Sequence, residues 1–384
     1  MQNKKINYTI GYIEGYYGQI LSWTNRKLIV KSLQKNKMNT YFYAPKEDEN
    51  HRLNWRKKYS PAWRKEFKSF TNFSKKKSIN IIAGIAPGLD FDFKTINVTA
   101  KKTKNSDFNL LYNKAKQLLN DGATAIALLL DDIPDNFNEN YGYGLSEGTS
   151  HGILANKLSK KLGHTIYFVP RIYADELIKD EPKYLNDLSR VLDAKIKLFY
   201  CGKNVVAKNL CHYSKIKKLF SNQIIFWDNY YANDYCPRRF FIGPYKGRKG
   251  LNNIMINSTG LIKTDLLILD IVNNTIEEKN SFSKWLFTIE NHGVPPIFNK
   301  IKIFFLEPNF GSNSSSNFVN FNGKYIEVLD FLLWKWKSEL SREWYPFLFG
   351  LKQDLQINQN KLTSERTIKT QTIPLSEHLN KGEL

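Results

Sequence analysis

Short apolar runs recur along the chain, and stretches with helical patterning separate them. YTIGYIEG (8–15), NTYFYAP (39–45), NIIAGIAPG (80–88) and TAIALLLDD (124–132) each read as a buried strand. HTIYFVP (164–170), AKIKLFYCG (194–202), NQIIFWDN (222–229) and NNIMINS (252–258) repeat the pattern. All are rich in Ile, Val, Tyr, Phe or Leu and stop at Gly, Pro, Asp or Asn, residues that turn a chain out of a strand. Between them, LYNKAKQLLNDG (111–122) and YLNDLSRVLDA (184–194) carry apolar residues at i, i+3 and i+4, the spacing of a helix with one buried face. Eight strand–helix units at intervals of about 27 to 44 residues predict an α/β fold, a (β/α)8 TIM barrel.

A doubly wound open sheet also alternates strands and helices, but it would usually carry a glycine-rich phosphate turn after its first strand. The glycine cluster YGYGLSEG (141–148) has the wrong spacing and follows an Asn-rich loop, so it reads as a lid or loop segment. Beyond about residue 290 the rhythm changes. Two turn clusters and a Ser/Asn-rich linker occupy 293–318, and 325–349 reads as helix interrupted at Pro346. The expected organisation is a barrel over 1–290, a linker and mostly helical appendage over 291–355, and a polar tail over 356–384. Trp334, Trp336 and Trp344 read as packing residues of that appendage.

Composition narrows the function. Hydrophobic residues make up 42% of 384, ample for a large core. The net charge of +21 raises the question of nucleic acid. Lys outnumbers Arg by about four to one, however, and no arginine-rich arm or recognition motif is present. The charge therefore reads as solvated surface, and no specific nucleic-acid partner is expected. Cys201, Cys211 and Cys236 form neither a CxxC pair nor an even set, which indicates no disulfide framework and no zinc site. No run is long enough to span a bilayer, and the N-terminus lacks a leader's apolar core. A cytoplasmic prokaryotic enzyme without cofactor or metal is the simplest expectation.

The segment ALLLDDIPD (127–135) then raises a chemical question, because it ends a buried strand on two adjacent carboxylates. Asp131 and Asp132 can be a loop start, or they can be a catalytic pair. Barrel active sites sit at the C-terminal ends of the strands, so the other strand ends decide between them. Those ends supply Glu14-Gly15-Tyr16-Tyr17-Gly18, Lys46-Glu47-Asp48, Arg171-Ile172-Tyr173, Trp227-Asp228-Asn229 with Asn233-Asp234, and Asn257. Carboxylates, amides, one lysine and aromatic faces converging on one mouth suit a polyhydroxylated ring such as a sugar.

GYIEGYYG (11–18), NTYFYAPKED (39–48), HRLNWR (51–56), LLLDDI (128–133), FWDNYYANDY (226–235) and GPYKGR (243–248) resemble the catalytic barrel of the glycoside hydrolase family 84 β-N-acetylglucosaminidases, a family that includes the protein O-GlcNAcases. The likeness runs in order from residue 8 to about 260. It implies a retaining exo-β-N-acetylglucosaminidase acting on a GlcNAc-bearing glycoconjugate. In that chemistry the sugar's own 2-acetamido oxygen is the nucleophile, so the usual two-carboxylate distance rule does not apply. Carried over by position, Asp131 would orient the acetamido N–H and Asp132 would be the general acid, then the base. Gly11 (through its backbone), Lys46, Asn229, Asp234 and Asn257 would hold hydroxyls, Tyr173 the acetamido group, and Trp227 would wall the pocket. Mutual repulsion and burial are expected to raise the proton affinity of one aspartate.

Blander readings stand beside these. Asp228 reads as a strand-end structural contact, and Lys46 could pair with Glu47 or Asp48 at the surface. The chain departs from the family's usual Trp-Thr-Gly with Tyr200-Cys201-Gly202, at Arg171-Ile172, and over 134–150, which touches specificity more than reaction. An N-terminal accessory domain is not expected. The alternatives are a non-catalytic GlcNAc-binding barrel and, last, lysine-mediated nucleic-acid association.

Overall fold

In the computed structural model, which describes residues 8–96, 106–135, 137, 144–179, 182–277, 279–308 and 324–359, all eight predicted strands form. They are β1 (Thr9–Glu14), β2 (Thr40–Tyr43), β3 (Asn80–Ile85), β4 (Ala125–Leu129), β5 (Tyr167–Val169), β6 (Lys197–Tyr200), β7 (Ile224–Asp228) and β8 (Asn253–Asn257). Every pairing is parallel and in chain order, and β8 closes on β1. The TIM barrel expected from the sequence is the fold. Most strands are shorter than the apolar runs, because the last residues of several runs leave the ladder to form the mouth.

Side-chain alternation sorts each strand into two faces. Ile13, Phe42, Ile82, Ala127, Leu129, Val169, Phe199, Ile225, Trp227 and Met255 fill the barrel interior. Tyr12, Tyr41, Ile81, Leu128, Phe168, Leu198, Phe226 and Ile254 point outward to the helices. Those helices are α1 (Trp23–Lys35), α2 (Pro61–Lys76), α3 (Asp107–Asn120), α4 (Glu147–Leu162), α5 (Lys183–Val191), α6 (Lys215–Leu219) and α7 (Ile262–Thr275). Each of α1 to α4 starts at a serine, Ser22, Ser60, Ser106 or Ser146, whose hydroxyl accepts a first-turn backbone N–H. At Ser146 this corrects the expected lid over 141–148. Residues 141–143 lie outside the described residues, whereas Glu147 and Gly148 already form the first turn of α4. Gly148 is needed there because a Cβ would lie 2.2 Å from the Tyr184 carbonyl oxygen, so α4 packs tightly on α5.

One crossover departs from the eight-unit expectation. Among the described residues, the connection from β7 to β8 contains no α-helix. The space is filled from the C-terminal side by α8 (Ser281–Asn291), α9 (Lys324–Trp334) and α10 (Glu339–Asn358). Phe240 of that connection packs on Phe305, Trp344 and Phe347, and Trp285 Nε1 donates to the Ile242 carbonyl. The appendage thus covers a side of the barrel that no crossover helix covers. Its helix break falls between Trp334 and Glu339, where Ser338 and Ser341 form a reciprocal cap, and not at Pro346, which lies inside α10. Trp336 and Trp344 are buried as expected, but Trp334, at the end of α9, is 49% exposed.

Candidate active site

The same alternation builds the site. Counting two residues on from the inward Leu129 places Asp131 in the barrel mouth. The same step places Gly15, Lys46, Cys201, Asn229 and Asn257 there from Ile13, Ala44, Phe199, Trp227 and Met255. These side chains line a cavity of about 1090 Å³ together with Tyr17, Asp132, Tyr173, Trp227 and Asp234. Of the nine residues singled out from the sequence, eight meet in this cavity.

Gly11 does not. It lies mid-strand in β1, in register with Thr40 and Met255, and a Cβ there would meet the Thr40 carbonyl oxygen at 1.8 Å. Close backbone packing explains that glycine. The glycine at the mouth is Gly15, four residues on, where a Cβ would strike the Trp227 indole at 2.6 Å. Trp227 is itself wedged edge-on between Phe42 and Phe199, so it cannot give way.

Asp132 would point away from the cavity if the strand alternation continued. It does not, because its backbone turns into the left-handed region at φ 50°. That turn is uncommon outside glycine, although Asp tolerates it better than most residues. It brings both neighbouring carboxylates to one cavity, facing different parts of it. Asp131 Oδ2 accepts a hydrogen bond from Lys46 Nζ at 2.6 Å, while its Oδ1 is buried with no donor among the described residues. Asp132 Oδ1 accepts from the Tyr173 hydroxyl at 2.7 Å and Oδ2 from the Tyr17 hydroxyl at 2.9 Å. Asp131 is only 5% exposed, whereas the Asp132 side chain is 31% exposed and can meet a ligand arriving from solvent.

Lys46 is therefore no surface partner of Glu47 or Asp48. It is buried, 2.6 Å from Asp131 and 3.7 Å from Asp132. Asn229 is a hub: its Oδ1 accepts from Trp227 Nε1 and Asn257 Nδ2, both at 3.0 Å, and its Nδ2 donates to the Val205 carbonyl. Asn257 Oδ1 is buried with no partner among the described residues, a second open acceptor. Asp234 accepts from the Tyr17 backbone N–H at 3.0 Å, so it also pins the loop after β1. Asp228 points outward, where its carboxylate meets the Arg248 guanidinium at 2.7 and 2.8 Å and the Tyr245 hydroxyl at 2.6 Å. That is the structural contact expected of it.

The electrostatics correct one expectation. Burial pushes the Asp132 carboxyl up, but the Lys46 ammonium, the hydroxyls of Tyr173 and Tyr17 and the Arg52 guanidinium outweigh it. The net direction is down, so Asp132 is a carboxylate held by donors rather than an acid raised by its neighbour. Burial raises the Cys201 thiol, which makes it a neutral wall residue and no nucleophile. Burial lowers His51 to about 3, and this imidazole stays neutral beside the site. Among the described residues, no cluster of three His, Cys, Asp or Glu side chains could hold a metal.

Comparison with known proteins fixes the relationship. A family profile described as β-N-acetylglucosaminidase matches residues 10–263, the barrel from β1 to the start of α7. The chain belongs to the glycoside hydrolase family 84 β-N-acetylglucosaminidases. It is 31% identical over 247 residues to the protein O-GlcNAcases of rat and mouse. That match takes in 62% of this chain and 26% of either relative, so the chain spans about a quarter of their length. A mutant of an O-GlcNAc hydrolase from Thermobaculum terrenum superposes with a TM-score of 0.73 at 22% identity. That comparison covers 98% of this chain and 90% of the other, and it shows a shared fold. Membership of the family confirms the resemblance read from the motifs. Gly15 and Tyr17, both in the GYIEGYYG motif, are among the cavity-lining residues to which the sequence reading assigns no role. Period-two counting from Ile13 puts Gly11 and Gly15 on one face, and only the position of Gly15 past the end of β1 marks it as the one at the mouth. For Tyr17 the sequence carries no comparable signal.

Proposed function

We propose that the chain is a retaining exo-β-N-acetylglucosaminidase that releases terminal β-linked GlcNAc with the substrate's acetamido group as nucleophile. The observation that carries this reading is the pair of acceptors at Asp131. One oxygen is neutralised by Lys46, and the other is buried and unpartnered, suited to a single N–H donor such as a secondary amide. An unpaired buried acceptor costs stability, so a donor arriving with the ligand gains correspondingly.

In the first step the acetamido oxygen forms a bond to the anomeric carbon while the bond to the leaving oxygen breaks. Asp132 gives its proton to that oxygen, and Asp131 stabilises the charge developing on the amide nitrogen. In the second step water adds to the anomeric carbon of the oxazoline so formed, Asp132 takes its proton, and the bond from the anomeric carbon to the acetamido oxygen breaks, restoring the acetamide with configuration retained. Asp132 must be protonated to begin, yet its donors favour the carboxylate. Binding of a sugar that draws Tyr173 or Tyr17 away from it would ease that protonation, which suits Tyr173 as the contact of the acetamido group. Lys46, Asp234 and Asn257 hold ring hydroxyls. Asn229 acts first by holding Trp227 and Asn257 in place. A glycoconjugate carrying terminal GlcNAc is the substrate class. Three cysteines outside any disulfide among the described residues suit a reducing, cytoplasmic setting.

An aryl β-GlcNAc and a thiazoline that imitates the cyclic intermediate test the reading together. The expected result is hydrolysis, loss of most turnover in Asp132→Asn, and competitive inhibition by the thiazoline. Calorimetric binding of GlcNAc without hydrolysis by the parent chain would instead favour a non-catalytic binding barrel.

A further inference from the structure

The loop between β2 and α2 touches both aspartates, from two directions. Lys46 opens the loop and pairs with Asp131. Arg52, six residues on, is buried and is not among the residues lining the cavity. Its Nη2 donates to the backbone carbonyl of Asp132. The loop that carries it is strapped in place. Asp48 accepts from the hydroxyls of Tyr43 at 2.6 Å and Tyr59 at 2.9 Å, and His51 bonds to Gly84 and Ala86 of the β3 end. Lys114 of α3 donates to the carbonyls of Asn50 and Lys57. Arg52 therefore stands on a rigid base.

Asp132 is the residue that departs from strand alternation, and Arg52 grips that departure. A left-handed non-glycine residue is disfavoured, and a charge-assisted hydrogen bond to its carbonyl is a strong counterweight. The other guanidinium nitrogen, Nη1, is buried with no partner among the described residues. Among the described residues no carboxylate pairs with this guanidinium, and the adjacent His51 is neutral. We propose that Arg52 is a positioning residue for the general acid: its bond to the Asp132 carbonyl fixes the left-handed turn that swings the Asp132 carboxyl into the cavity beside Asp131. The inference rests on Asp132 being the acid, as proposed above. It has a second consequence, since the guanidinium charge also favours the Asp132 carboxylate. Removing it should impair proton delivery and yet let the carboxyl keep its proton to higher pH.

Arg52→Met and Arg52→Lys, each in the parent chain and in Asp132→Asn, are assayed on two aryl β-GlcNAc substrates. One has a dinitrophenolate leaving group that departs without protonation, and the other a poor phenol that does not. In the parent chain, Arg52→Met is expected to lower kcat/KM about 100-fold on the poor leaving group, within the range for general-acid loss, and less than about 5-fold on the activated one. This ratio reports the steps up to cleavage of the glycosidic bond and not the later attack of water. KM should change little, and the falling high-pH limb of kcat/KM should move upward. Arg52→Lys should recover part of the loss. In Asp132→Asn, Arg52→Met should add nothing. An equal loss on both substrates, a loss that persists in Asp132→Asn, or no loss would overturn the proposal. If Arg52→Met does not fold by circular dichroism, the same leaving-group contrast is read from Arg52→Lys. Full activity of Asp132→Asn on the poor leaving group would sink the acid assignment itself, whereas an impaired Asp132→Asn with unaffected Arg52 variants would sink only this inference.

Discussion

Lys46 and Asp131 form a buried ion pair, Nζ to Oδ2 at 2.6 Å, with side-chain exposures of 2% and 7%. The pair is unusual because its carboxylate uses only one oxygen. Two charges have been taken out of water, and the remaining oxygen has no donor. Such an arrangement is poor as a stability device and good as a preformed receptor for an N–H.

Breaking the pair from one side should therefore be costly. Lys46→Met leaves a buried carboxylate unpaired and should lower the unfolding free energy by about 3 kcal/mol. The double variant Lys46→Met with Asp131→Leu should recover much of that loss, because no charge is then stranded. Urea unfolding of the parent and the variants checks both statements. A Lys46→Met protein as stable as its parent would contradict the pairing.

Tyr17 and Tyr173 donate to the two oxygens of Asp132 and favour its charged form. Tyr17→Phe removes one such donor, so the Asp132 pKa should rise. An acid that keeps its proton to higher pH moves the falling limb of kcat/KM to higher pH, here by roughly half a unit to one unit. The pH–rate profile of the variant measures this directly. An unmoved limb, or one displaced to lower pH, would show that Tyr17 does not bear on the acid.

Asp228 and Arg248 are almost fully buried and bonded through two contacts. Arg248→Met strands the Asp228 carboxylate, and the carbonyls of Lys246 in the β7–β8 connection and of Ala207 and Lys208 in the loop after β6 lose their donor. The expected loss is about 3–5 kcal/mol of stability. The variant should melt well below its parent in calorimetry, and the pH limb assigned to Asp132 should stay where it was.

Asp270, on the outer side of α7, predicts a pH dependence of a different kind. Burial raises its carboxyl, but hydrogen bonds from His292, Lys35 and Asn36 outweigh this and lower it to about 2. A carboxyl whose folded pKa is depressed contributes stability above its unfolded value near 3.9 and loses it as pH falls toward 2. Asp270→Asn should thus cost about 2 kcal/mol at pH 7 and almost nothing near pH 2. Denaturant titrations at the two pH values test the difference. A cost equal at both would mean that charge has no part in it.

The barrel was legible because its evidence is local and repeated. Each strand is an apolar run closed by a turn former, and the order of eight such runs leaves little choice of topology. The site was legible for the same reason, since strand ends of a barrel meet at one mouth. What escaped has physical causes. Gly11 and Gly15 share a facing direction, and only depth along the barrel separates them. The helix break was placed at Pro346 because proline lacks an N–H, yet a Ser338–Ser341 cap nearby sets the boundary and the proline is carried inside the next helix. The missing β7–β8 helix could not be seen, because the segment's aromatics pack on residues up to about a hundred positions further on. The charge state of Asp132 depends on hydroxyls and cations from three other segments, which adjacency to Asp131 does not reveal.

In the proposed mechanism the acetamido group of the sugar attacks the anomeric carbon while Asp131 holds its N–H. A series of aryl β-glucosaminides bearing N-acetyl, N-fluoroacetyl, N-difluoroacetyl and N-trifluoroacetyl groups weakens that oxygen stepwise with little change in shape. With the acetamido oxygen as nucleophile, kcat/KM falls steeply with each fluorine, by several orders of magnitude across the series. A flat series would contradict it and require a nucleophile supplied by the protein.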